Sequence, residues 1–331
     1  MDNMIFTSEV CGVVLIAPFD KISRPPCSTI RFIVFLSLFF RCFSPFSFYH
    51  RTFSLTTERS QDIPLEELKI RMVGRKIEGD YYRSDTTPQF EDEVALSLRD
   101  VCTDHLKHVS FDLHKGEIFG LCGLSDSGIR EVGQAAYGLL PVDSGEVSLP
   151  THNVSIGNPY QALQNRVAYV PKDRDGEALM MGASIQNNFC LPSVETLKGR
   201  FGFLSPKKLY QASSKAREQF SVKSTGVDQL MRALSGGNKQ KVNLGRWLIK
   251  DLDVLIVDCP TRGVDIGVKA YIYQCLREAK EKGMAILLIT DELSEVLGMA
   301  DTIAVMKDGE ICKLLPRSAE LSEETIIEVM T

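Results

Sequence analysis

Apolar and polar positions divide this chain into stretches of different character. Residues 94–98 and 109–113 alternate apolar with polar side chains, the period-two pattern of strands with one wet face. Residues 118–122, 254–257 and 285–289 are short unbroken apolar runs instead, which suits parallel strands covered on both sides. Residues 169–172 end another strand, residues 302–306 read as a further one, and turns fall at 115–116 and 308–309. From residue 236 an amphipathic helix begins, with Leu244, Trp247 and Leu248 as its apolar stripe. Residues 183–232, richer in Lys, Gln and Ser, also read as helical. A small antiparallel start followed by alternating strands and helices predicts an α/β domain, with its ligand crevice at the carboxyl ends of the parallel strands.

The first sixty residues follow another pattern. Residues 32–40 are apolar but closed in by Arg31 and Arg41, well short of the ~20 residues a bilayer-crossing helix needs. They lie too far along the chain, with no small-residue cleavage site, for a secretory signal. A membrane anchor, a cytosolic apolar arm and a stretch translated without function all stay open for residues 1–61. Residues 63–75 read as a short amphipathic helix, with Pro64 near its start, Leu68 and Met72 one turn apart, and Gly74 at its end. The last helix, residues 321–331, has a similar acidic start. Setting Glu66 against Glu324 aligns Leu68 with Ile326 and Met72 with Met330, a weak internal repeat.

Composition narrows the classes. A chain of 331 residues, 44% hydrophobic and 24% charged, can bury one large core and a small subdomain. A formal net charge of −5 argues against nucleic acid as a partner, since phosphate neutralisation needs a basic face. The nine cysteines form no C-x-x-C pair, and their odd number leaves at least one unpaired. That usage fits a reducing cytosol.

The chemistry concentrates in residues 234–242, LSGGNKQKV, and in the strand at 254–258, VLIVD. Ser235, Gly236 and Gly237 sit at a helix start, where unpaired N–H groups and the positive dipole end face an anion. Asp258 ends an apolar strand and is presented to the crevice, in place to hold a metal ion. A Ser cap after a turn and a strand-ending Asp are each ordinary alone; their order and spacing together are not. These residues resemble the signature and Walker B motifs of ATP-binding cassette proteins. The NKQKV continuation resembles the carbohydrate-importer branch that fuses two cassettes in one chain. The likeness runs over about 63–331 and extends to CPTRGVDIGVK at 259–269 and to residues 292–309.

What the resemblance implies is a P-loop nucleoside triphosphatase fold: a RecA-like parallel-sheet core, a small antiparallel β subdomain, and a helical signature subdomain at about 183–235, all within residues 91–331. Residues 62–90 resemble the exit from a first cassette, and we expect them to be a linker from one that this chain lacks. ATP and Mg²⁺ are the implied cofactors. A second cassette, membrane permease subunits and, indirectly, a solute-binding protein are the implied partners. The implied place is cytoplasmic, on the inner face of the membrane.

The phosphate loop departs from the family. A working loop is GxxxxGK[ST]: glycines let N–H groups wrap the phosphates, Lys neutralises them, and the hydroxyl holds Mg²⁺. Residues 123–130 read GLSDSGIR. Gly123, Ser127 and Gly128 remain as nucleotide-binding candidates, but Asp126 takes an inner glycine position, Ile129 the lysine's and Arg130 the hydroxyl's. Losing the lysine forfeits ~1.5–3 kcal/mol per charge-assisted bond, and Asp126 at about 4 Å would repel a phosphate by up to ~4 kcal/mol. Arg130 lies about 100° round the following helix, so it recovers only part of this by reaching back. Weak nucleotide binding is expected. Lys172, in AYVPKDR, is either a solvated surface lysine or a partial replacement for the missing one.

The catalytic positions differ too. Cys259 stands where the family has the Glu that polarises water, Asp291 appears at the γ-phosphate-sensing His, and no histidine follows His152. A missing general base usually costs ~10²–10⁴-fold in rate, and a thiol beside anions ionises too poorly to replace it. No catalytic residue is therefore assigned, and the chain's own turnover is expected to be weak or nil. In cassette dimers nucleotide lies between the phosphate loop of one unit and the signature helix of the other. The resemblance thus implies a degenerate second cassette: Ser235 and Gly237 contact nucleotide held by a partner, and Asp265 crosses the contact. A catalytically silent regulatory module and a non-transport cassette protein are the other readings.

Overall fold

The computed structural model describes residues 81–124 and 126–330, with a two-residue antiparallel pair, β1 (Phe6–Thr7) and β2 (Val14–Leu15). The expectations for the apolar stretch at 32–40 and the helix at 63–75 lie outside the described residues. Two sheets organise the described residues from 81 to 330. The first joins β3 (Val94–Cys102), β4 (Val109–His114), β6 (Ser144–Leu149) and β7 (Val154–Ser155) in the antiparallel order β4-β3-β6-β7. The second contains β5 (Ile118–Gly123), β8 (Val167–Val170), β9 (Val254–Asp258), β10 (Ala285–Ile289), β11 (Thr302–Lys307) and β12 (Glu310–Pro316), ordered β12-β11-β5-β10-β9-β8. Its strands are parallel except β12, which returns antiparallel along the edge.

The unbroken apolar runs are explained by cover on both faces. Phe119, Leu121, Ile256, Leu287 and Ile289 point into a core shared with the antiparallel sheet and with α1 (Ile129–Ala136), where the rings of Phe111 and Phe119 stack 4.6 Å apart. Their neighbours Ile118, Cys122, Leu255, Val257, Ile286 and Leu288 enter a second core on the opposite face. That core also contains Ile272, Tyr273 and Leu276, Val296 and Met299, and Ile326 and Met330. They come from α6 (Ile266–Glu281), α7 (Leu293–Met299) and α8 (Glu323–Met330) respectively.

Between β8 and β9 the chain leaves the sheet. The helices α3 (Ile185–Cys190), α4 (Pro206–Gln219) and α5 (Gly236–Leu248) close a third core around Ile185, Phe189, Phe220, Met231 and Val242; α2 (Pro159–Gln164) precedes β8.

One strand differs from its pattern. Residues 95–98 of β3 are all buried, although their alternation predicts one wet face. β3 is hydrogen-bonded on both sides, and Ser97 donates its hydroxyl to Asp112 at 2.8 Å, so the polar position is satisfied within the sheet. The alternating strand β6 and the edge strand β12 have no counterpart among the elements that the apolar pattern predicts. None of the described helices is long and apolar enough to cross a membrane.

Candidate functional site

The carboxyl ends of the parallel neighbours β5, β10 and β9 bring three loops side by side. β5 ends at Gly123, and the chain turns with Ser127 N–H donating to Leu124 O at 2.9 Å. Gly128 caps α1 at φ +90°, where an L side chain would be strained and an added Cβ would come within 2.9 Å of Leu106. Ile129, at the lysine's place, is only 6% exposed and packs into the first core. Asp126 is exposed, whereas Ser127 is buried with its hydroxyl unpaired among the described residues.

Arg130 does not turn to the loop alone. Its Nε lies 3.2 Å from Asp258 Oδ2, and a terminal nitrogen donates to Glu177 Oε1 at 2.7 Å. Glu177 belongs to a wide helical turn, Arg174–Ala178, that follows β8. Asp258 is buried, and Tyr169 Oη–H donates to the same Oδ2 at 3.4 Å. Burial raises the Asp258 carboxyl above its ordinary value, with the Arg130 charge opposing. The Arg130 guanidinium is held more firmly protonated by Glu177, against the cost of its own burial.

Cys259 follows at φ +47°, its N–H bonded to Ile289 O at 2.8 Å. Burial, reinforced by the Asp258 and Asp291 charges, pushes its thiol up to about 12. The thiol lies 3.8 Å from Asp291 Oδ1, while Asp291 Oδ2 accepts from Lys172 Nζ at 3.0 Å. Burial would raise the Asp291 carboxyl, but the bond and charge of Lys172 hold it below its usual range. Lys172 is therefore tied to Asp291.

The helix start at Ser235 is open by comparison. Ser235 is exposed and makes no capping bond to the helix; its Oγ accepts from Asn238 Nδ2 at 2.9 Å, which leaves the hydroxyl proton to donate. The first N–H groups of a helix have no partner within it. Gly236 and Gly237 keep this end bare: a Cβ on Gly237 would meet Val268 at 2.7 Å. Asp265, exposed, caps α6 by accepting from Val268 N–H at 3.0 Å.

Sequence reasoning missed the pieces that join these parts. Arg174 donates to Arg262 O at 2.9 Å, Lys239 pairs with Asp175 at 2.8 Å, and buried Gln240 donates to Pro260 O at 2.6 Å. The charged run DRDGE at 173–177 was the available signal.

A family model described as "ABC transporter" matches residues 106–262. The ribose import ATP-binding protein of Lactococcus lactis is 35% identical over 279 residues, 84% of this chain and 55% of that protein. A putative ribose/galactose/methyl galactoside import ATP-binding protein of Agrobacterium fabrum is 33% identical, covering 82% and 54%. The chain thus spans about half the length of the curated relatives it matches. A nucleotide-free ATP-binding cassette from an ABC transporter superposes with a TM-score of 0.61 at 22% identity, covering 72% of this chain and 99% of the other. A dimeric post-hydrolysis cassette bound to ADP and phosphate superposes at 0.59 with 19% identity, covering 68% and 99%. At these identities the likeness shows the fold.

Proposed function

We propose that the chain, whose residues 106–262 match the ABC transporter family model, is an ATP-binding subunit of a carbohydrate importer that completes the nucleotide site of a partner cassette. The contrast between its two half-sites carries this reading. Its own phosphate loop has a buried Ile129 in place of the lysine, while the tip at Ser235 is exposed and uncapped. The Ser235 hydroxyl and the Gly237 N–H bind the γ-phosphate of nucleotide held by the partner's loop, with Asp265 across the contact. Donors fixed in advance stabilise charge developing on a transferred phosphoryl group without reorganising. The ATP that is hydrolysed, and its Mg²⁺, then belong to the partner's loop. The likeness to ribose and galactose import proteins supports transport through a membrane permease, with the chain peripheral on the cytoplasmic face.

Neither residue at the two positions where the family has its Glu and His is suited to draw a proton from water. Cys259 is held neutral, and Asp291 is bound to Lys172. The chain alone should hydrolyse ATP at background rates, yet raise the turnover of a cassette with an intact GxxGxGK[ST] loop. An ATPase assay of each alone and both together tests this. Rapid turnover by the chain alone, or no stimulation on mixing, contradicts it, and the second result favours a silent regulatory module.

A further inference from the structure

The phosphate loop and the strand-ending carboxylate meet here around a side chain that is itself a cation. In a metal-using loop the residue at position 130 supplies a hydroxyl to the ion, and the neighbouring strand supplies the carboxylate. Here position 130 supplies a guanidinium, with Nε 3.2 Å from Asp258 Oδ2 and a terminal nitrogen 2.7 Å from Glu177 Oε1. Mg²⁺ demands near-octahedral oxygen ligands at ~2.0–2.1 Å. The oxygens that remain do not fit it. Asp258 Oδ2 is already met by Arg130 and by the Tyr169 hydroxyl, the Asp291 carboxylate faces Lys172, and the loop has lost its metal-binding hydroxyl. An ion arriving at Asp258 would also meet the Arg130 charge directly.

Two donors point the same way. Among the described residues Ser127 Oγ and Arg130 Nε are buried without a hydrogen-bond partner, the Nε contact to Asp258 being close but poorly aligned. Buried donors of this kind are costly unless something accepts from them, and a phosphate oxygen is an acceptor of the right charge.

We infer that Arg130 permanently replaces the divalent cation of this loop, so that Asp258 takes no metal and a nucleoside polyphosphate binds here as the metal-free anion. This rests on reading the loop as the weak half of a cassette, yet its test does not involve the partner. Arg130 bridges Asp258 and Glu177 much as a divalent ion bridges its ligands, joining α1, β9 and the turn after β8. No hydrolytic step is assigned to such a site.

The full chain should be titrated with Mn²⁺ in the presence of ATP and followed by electron paramagnetic resonance. TNP-ATP fluorescence should be measured in parallel in EDTA and in Mg²⁺. Wild type should hold no Mn²⁺ beyond that carried by free ATP, and TNP-ATP should bind as tightly or more tightly in EDTA. Arg130→Ser should gain a bound Mn²⁺ signal that Asp258→Asn then removes. Arg130→Gln, which keeps the side-chain length without the charge, should gain the signal as well should the serine variant fold poorly. Three results would overturn the inference: Asp258-dependent Mn²⁺ binding by wild type, no gain in either Arg130 variant, or TNP-ATP binding that is absent in EDTA. None of these outcomes bears on whether Ser235 stimulates a partner, so the two readings fail separately.

Discussion

At the residue scale, Ser235 carries the heaviest expectation. Its side chain is exposed and makes no capping bond, so Ser235→Ala should leave melting nearly unchanged. It should nevertheless lower partner-stimulated turnover by roughly 10²–10³-fold, the effect of removing one fixed donor; a stimulated rate equal to wild type would contradict its role. Cys259 gives a pH prediction. Its thiol is raised by burial from an ordinary 9.0 to about 12. The folded chain therefore retains a proton that the unfolded chain releases, and this site's contribution to stability is lost as pH rises from about 9 toward about 12. Iodoacetamide at pH 8 should label exposed Cys312 long before Cys259, as peptide mapping would show. The changes at Ile129, Arg130, Cys259 and Asp291 were legible as departures from a motif. Their partners were not, because Arg130–Asp258 and Lys172–Asp291 join positions far apart in sequence, and no local pattern encodes such pairs.

At the element scale, what holds the central strand is a buried charge cluster rather than apolar packing alone. Asp301, fully buried, accepts from the backbone of Ile118 at 2.9 Å and of Gln89 at 3.1 Å. It also meets Arg83 at 2.8 Å and Lys280 at 3.1 Å. Asp301→Ala should cost ~3–5 kcal/mol by removing the only carboxylate that Lys280 meets among the described residues, one of the two that Arg83 meets, and the acceptor of the strand's first N–H. Denaturant unfolding measures this directly, and a loss under ~1 kcal/mol would contradict the cluster's role. The parallel strands were readable because unbroken apolar runs bounded by turns have few other solutions. β3 was misread as half-exposed because period-two alternation cannot show that Ser97 finds Asp112 inside the sheet. The edge strand β12, with its exposed and charged positions, has too little apolar signal to announce itself.

At the scale of the whole molecule, the parts that face outward and the parts that are closed differ in kind. After β5, Ile129 is turned into the core and Arg130 is held between two carboxylates, whereas the tip of α5 is exposed and uncapped. Gln240 fastens the helix behind that tip to Pro260, while Lys239 holds Asp175 in the turn after β8, whose Arg174 reaches Arg262 O. The most direct measurement is steady-state ATP hydrolysis by this chain, by a cassette with an intact phosphate loop, and by the two mixed. The account predicts background turnover for the chain alone and a rate in the mixture well above the sum of the separate rates, lost on Ser235→Ala. Brisk hydrolysis by the chain alone, or a mixture no faster than that sum, would contradict it.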